Sequence, residues 1–175
     1  MKIVKHKNAI LTVAICILII TASLIFISRR LQSDNPHADV IIELRNISDQ
    51  EYESNMELRK HNIQDLKKLF IQVDITNSKS CRQRDIYIPD IYAAINTDRE
   101  RTLSGGDSYI NNLRKDSSAQ SMKYVIFDCA GLTVDDIKKL YHGSNISVNI
   151  KTSNNKDLIY NYNIGELMKE VRSND

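Results

Sequence analysis

The 175-residue sequence has no tryptophan, five glycines, two prolines and three cysteines. So little glycine and proline excludes collagen-like repeats and Pro/Gly linker composition, and 42% apolar residues excludes wholesale disorder. Acidic residues are missing from the first thirty positions, which hold Lys2, Lys5, Lys7, Arg29 and Arg30. The formal charge of +2 therefore hides a body that, from Leu31 on, carries 19 basic against 22 acidic residues, a net of −3. A slightly acidic body without a basic patch is unsuited to a polyanion, which excludes nucleic acid as the expected partner.

Catalytic and ligand-binding spacings are missing too. His6, His37, His61 and His142 are scattered, with no Cys or His pair at metal-ligand spacing. Gly105-Gly106 lacks the surroundings of a phosphate-binding loop, and Ser104 and Ser108 flank it without a nucleophile elbow. Asp98, Glu100 and Asp107 do not follow calcium-loop spacing and read as a solvated loop with Arg99 and Arg101. Asp135-Asp136 fits the positive end of a helix dipole. The expectation is therefore no catalytic residue, no metal and no cofactor.

What is present begins with Ala9 to Ser28, twenty residues without a charge. At about 1.5 Å per residue a helix of that length spans roughly 30 Å, the hydrocarbon thickness of a bilayer. The run is longer than a signal-peptide core, and its one small-residue cleavage candidate, Thr21-Ala22-Ser23, is followed by further apolar residues. Cys16 lacks the preceding small residue of a lipid-modified cysteine. These features predict an uncleaved, single-pass signal anchor over 9–28 that contacts the lipid bilayer. Three lysines before the run against two arginines after it predict a cytoplasmic N-terminus, 1–8, and an extracytoplasmic body.

Residues 29–47 read as a polar tether, with Val40-Ile41-Ile42 too short to classify. Ser48 and Glu51 match a capping box, and Tyr52, Met56, Ile63 and Leu66 share a helical face, predicting a leading helix over 49–67 of an extracytoplasmic domain, 48–175. From Leu69 the period becomes two, with Leu69, Ile71, Val73 and Ile75 on one side of a strand. Further strands are predicted around Arg84–Ile88 and Ile91–Asn96, broken by Pro89, with 97–121 a long polar loop holding one short strand near Tyr109. Tyr124–Cys129 reads as the central strand. Thr133 caps a short helix that ends by Gly143, Ile146–Ile150 and Leu158–Ile164 form a hairpin, and Glu166–Val171 a terminal helical turn.

This pattern describes a mainly-β domain, an immunoglobulin-like β-sandwich, or an α+β domain with a leading helix. The layout resembles immunoglobulin-like modules carried outside bacterial membranes, in which a short helix joins two late strands. The alternative is an α+β cone with its helix inside a curved sheet.

Cys81 and Cys129 are the two body cysteines and form a candidate disulfide if the body lies in an oxidising compartment, the other reading being two separate buried thiols. Cys129 with His142 is the weaker pairing of nucleophile and base, since a thiol at the end of an apolar strand is inert. Tyrosine supplies eight aromatics; Tyr160 and Tyr162 face the core, whereas Tyr87, Tyr92 and Tyr109 are candidates for a recognition surface. The functional expectation is a non-enzymatic binding or scaffold module of a bacterial cell envelope with a protein partner. The alternatives are an anchored redox enzyme using Cys81 and Cys129, and a cytoplasm-facing regulator or immunity protein.

Overall fold

Leu69, Ile71, Val73 and Ile75 are completely buried along one side of a single strand, and the fold is organised around it. The computed structural model describes residues 20–23, 35–78, 81–110 and 118–171. Strands make up 47% of it, which makes the fold mainly β. In chain order they are β1 (His37–Asn46), β2 (Leu66–Thr76), β3 (Gln83–Tyr87), β4 (Thr102–Ile110), β5 (Ala119–Asp128), β6 (Asn145–Lys151), β7 (Asp157–Asn163) and β8 (Lys169–Val171). The first sheet has the order β4-β5-β2-β1-β8 and the second β3-β6-β7.

Pairing register explains which side chains meet. β2 sets Leu69 and Ile71 opposite Leu44 and Ile42 of β1, and Leu69 and Ile75 opposite Val125 and Ala119 of β5. These residues line the inner face of the first sheet. Ile86 of β3, Ile146, Val148 and Ile150 of β6, and the half-buried Leu158, Tyr160 and Tyr162 of β7 line the facing side of the second. Both faces belong to one apolar core, and burial of each Ile or Leu there contributes about 1.5–3 kcal/mol. A smaller cluster of Ile47, Leu58, Leu66 and Ile126 covers one end of the first sheet's outer face.

Among the described residues four short α-helices join the strands: α1 (Asp49–Ser54), α2 (Ile91–Ile95), α3 (Val134–Leu140) and α4 (Ile164–Leu167). Thr133 caps α3 with Asp136 in a reciprocal capping box, as its sequence predicts. The hairpin of β6 and β7 also forms, its turn closed by Asn155 in the left-handed region (φ 63°) and by Thr152 Oγ1 accepting from the Lys156 amide at 3.0 Å.

Several expectations are corrected. Of the expected transmembrane helix over 9–28, only Ile20–Ser23 is described, and it is helical; the rest lies outside the described residues, as do residues 1–8. Among the described residues no helix is long and apolar enough to cross a membrane. The longest, α3, has seven residues where about twenty are required. The signal-anchor and single-pass readings fall with that helix. The immunoglobulin-like arrangement is corrected as well. Five strands face three and β8 runs parallel to β1, whereas the constant-type immunoglobulin sandwich sets four antiparallel strands on three.

The leading helix over 49–67 is limited to its first turns. Its capping box forms, with Ser48 Oγ accepting from the Glu51 amide, but Asn55 Oδ1 and Asn62 Oδ1 then accept from the Glu57 and Gln64 amides. These side chains compete with the helix for backbone donors and divert the chain into two 3₁₀ turns, Leu58–Lys60 and Ile63–Asp65. The tether over 29–47 contains β1, whose ten residues pair along their length with β2. The expected strand over 91–96 is instead helical over Ile91–Ile95, because Asp90 Oδ1 accepts from the Tyr92 and Ala93 amides and so starts a helix. The expected loop over 97–121 contains the nine-residue β4, and the terminal turn is divided between α4 and β8.

Candidate functional site

β3 and β4 are edge strands of different sheets and lie on the same side of the molecule. Arg84 of β3 donates through Nη1 to Ser78 Oγ (2.9 Å) and the Ser118 carbonyl (3.2 Å), which places the start of β3 beside the start of β5. Lys123 of β5 donates through Nζ to the Pro89 and Ile88 carbonyls at 3.2 and 3.4 Å, which holds the segment after β3 against the first sheet. Between these two clamps the edges of β3 and β4 form a seam.

Three tyrosines meet at this seam. Tyr109 pairs with Ser121 and so projects from the inner face of β4. Among the described residues no strand lies beyond β4 in its sheet, so Tyr109 stays 59% exposed while its Oη donates to the Ile86 carbonyl of β3 at 3.4 Å. Tyr87 is the next residue along β3. Because Ile86 faces the core, the pleat turns Tyr87 outward, where it is 61% exposed. Tyr92 comes from α2 and is half-buried, with Oη 3.4 Å from the Tyr124 carbonyl. A Cβ at Gly105 would come within 2.5 Å of the Tyr92 ring, so the ring rests on bare backbone of β4. Burial, then the charges of Asp107, Tyr124 and Asp90, pushes the Tyr92 phenol up, which keeps it a hydrogen-bond donor. Tyr87 and Tyr109 are thus surface residues, and Tyr92 supports β4 beneath them.

Among the described residues, the charges flanking the two exposed tyrosines are acidic. Asp85, Asp90 and Asp107 are exposed, and Lys123, opposite Asp107 in register, directs its ammonium at the two carbonyls named above. On the same face of the second sheet as Tyr87, Gln83, Asp85, Asn149, Lys151, Asp157 and Ile159 line a groove of about 280 Å³. Ile159, 67% exposed, adds an apolar residue to this face beyond the nominated tyrosines. The alternation of Leu158, Tyr160 and Tyr162 already turns it outward, so an apolar residue on the solvent face of β7 was a readable signal.

The other nominated residues lie apart from the seam. Cys81 and Cys129 are both buried and form separate thiols. Cys81 sits in the turn that Arg84 ties to the start of β5, and Cys129 follows the end of that strand. Ten residues of strand at about 3.3 Å each separate these ends by roughly 30 Å, against a span of about 7 Å for a disulfide. Burial pushes the Cys129 thiol up, which keeps it protonated. The imidazole at this end is that of His61, with Nδ1 3.6 Å from Asp128. His142, the nominated base, lies after α3, where its carbonyl accepts from Asn163 Nδ2. Arg101 is buried here and braces the strand end by donating to Asp98, the Asp128 carbonyl and the Ala130 carbonyl. Its hydrogen bond holds the Asp98 carboxyl down at about 2. Among the described residues no group of three or more His, Cys, Asp or Glu side chains is placed to hold a metal ion.

No protein-family model and no curated protein matches the chain.

Proposed function

We propose that the chain is a non-enzymatic binding module that engages a protein partner at the β3–β4 seam. The observation that carries this reading is the meeting of two exposed tyrosines, Tyr87 and Tyr109, from different sheets on one edge, joined by the Tyr109 hydroxyl on the Ile86 carbonyl. Tyrosine supplies large contact area at small entropic cost and is enriched where proteins meet. With Asp85, Asp90 and Asp107 around the rings, the favoured partner presents a segment containing Lys or Arg. A cation there stacks on a phenol ring within reach of a carboxylate. The separation of Cys81 from Cys129 gives a paired redox reading no geometric support.

Site-specific photocrosslinking tests the proposal. With a benzophenone amino acid in place of Tyr87 or Tyr109, irradiation of the source cells should give the same discrete adduct from both positions. The exposed Asp135 on α3 serves as the control and should give none. Adducts at all three positions, or at the control alone, would refute a recognition role for the seam.

A further inference from the structure

We propose that a second copy of this chain pairs antiparallel with the edge of β7 that no other described strand covers, joining the two three-stranded sheets into one of six strands. The inference rests on the edge geometry and stands independently of the seam's partner.

An edge strand exposes main-chain donors and acceptors, and folds normally blunt such edges with short length, proline, bulges or inward charge. The other edges here carry such devices. β3 has five residues and runs into Pro89, which lacks a donor. β4 is broken by a register shift between Thr102 and Ser104, and it turns Asp107 toward the inner face. β1 is covered over Glu43–Arg45 by β8, and its Ala38 carbonyl accepts from Tyr162 Oη at 3.0 Å. β8 itself has three residues. β7 has none of these: seven residues, no proline, lysine or arginine, and an unbroken register with β6.

The groups on that edge follow from the hairpin. The Thr152 amide donates to the Lys156 carbonyl and the Ile164 amide to the Ser144 carbonyl, both at 2.9 Å, and these contacts flank β7 in the register it shares with β6. Antiparallel pairing alternates, so Leu158, Tyr160 and Tyr162 bond to β6. The main-chain groups of Asp157, Ile159 and Asn161 therefore point away from the sheet. The closed turn at Thr152–Lys156 presents them in a fixed line, which lowers the ordering cost of adding a strand.

Charge selects a second copy as the occupant. Asp157 is the one charge on β7 and lies at its first residue. Antiparallel pairing about a two-fold axis at Tyr160 places Ile159 opposite Asn161 of the second copy and Asp157 opposite its Asn163. The two aspartates are then kept apart at opposite ends of the pair. The same geometry brings Lys156, just before the strand, to the end where Glu166 of the second copy lies just after its own strand, so the flanking charges are opposite. Such an isologous contact closes on itself as a dimer.

The experiment is the mass of the full chain in solution, together with a register-specific crosslink. Light scattering should report a dimer at about 100 µM, well above the micromolar range of a modest interface, and N161P should be monomeric because it removes an outward donor. Mild oxidation of an equimolar mixture of I159C and N161C should produce a disulfide-linked dimer, since those positions face each other. Either variant alone, and the unsubstituted chain, should not. A monomeric chain, or a dimer that persists in N161P and gives no bridge in the mixture, overturns the proposal. The mixture uses no proline, so misfolding of N161P does not decide the result.

Discussion

Replacing Gly165 by alanine is expected to destabilise the protein by about 3 kcal/mol, the upper range for forcing extra volume into a packed site. For a chain of this size that corresponds to a fall in Tm of about 9 °C. A Cβ at this position would lie 2.3 Å from the Lys138 carbonyl oxygen and 3.0 Å from the His142 amide nitrogen. Both are backbone atoms at the end of α3 and cannot swing aside. α4 cannot retreat either, because Ile164 and Met168 are buried on its two sides and the Ile164 amide is bonded to the Ser144 carbonyl. Thermal unfolding of the variant beside the parent measures the effect. A change within about 0.5 kcal/mol, typical of a surface substitution, would show that α3 and α4 are not packed this closely.

Phe127→Ala should be at least as damaging, with an expected loss of about 3–5 kcal/mol. Phe127 is fully buried and is among the largest side chains of the core. It lies on β5, between Lys67 of β2 and Thr102 of β4, so the cavity would open where three strands are joined. Phe127→Leu keeps most of that volume and should cost much less. Urea unfolding of the two variants separates loss of volume from loss of the aromatic ring. Equal effects, or an alanine variant costing less than about 1 kcal/mol, would contradict the placement of β5 between β2 and β4 in the first sheet.

The parts of this fold that were legible in the sequence are those in which local pattern and tertiary burial agree. β2 alternates because one side of it meets the core, and the β6–β7 hairpin combines that alternation with a polar turn. Thr133 and Asp136 announce α3 through hydrogen bonds closed within four residues. Elsewhere the deciding contacts are distant. Nothing local distinguishes the polar β4 from a loop; its pairing with β5 and the ring of Tyr92 over Gly105 make it a strand. β1 is hidden because His37 and Asp39 are polar and the small Ala38 between them gives only a weak apolar signal. Ile91 and Ile95 are four apart and preceded by Asp90, a helix signal obscured by the apolar residues between them.

The candidate site was legible to the same extent. The tyrosines could be identified, yet their roles depend on which edge each strand occupies. Tyr87 is outward because Ile86 is inward, and Tyr109 is exposed because β4 ends its sheet. Tyr92 belongs with them only if 91–96 is a strand; in the helix at Ile91–Ile95 it turns under β4. The cysteines could be counted, but only the fold shows that they sit at opposite ends of β5.

The recognition seam exists only if β4 lies beside β3, and the Tyr109 ring reports this directly. In a nuclear Overhauser spectrum of the labelled chain, the ring protons of Tyr109 should give cross-peaks to the backbone protons of Ile86 and Tyr87. If the Tyr109 ring shows contacts only with its neighbours in sequence, β4 is not placed against β3 and the tyrosines do not form one surface.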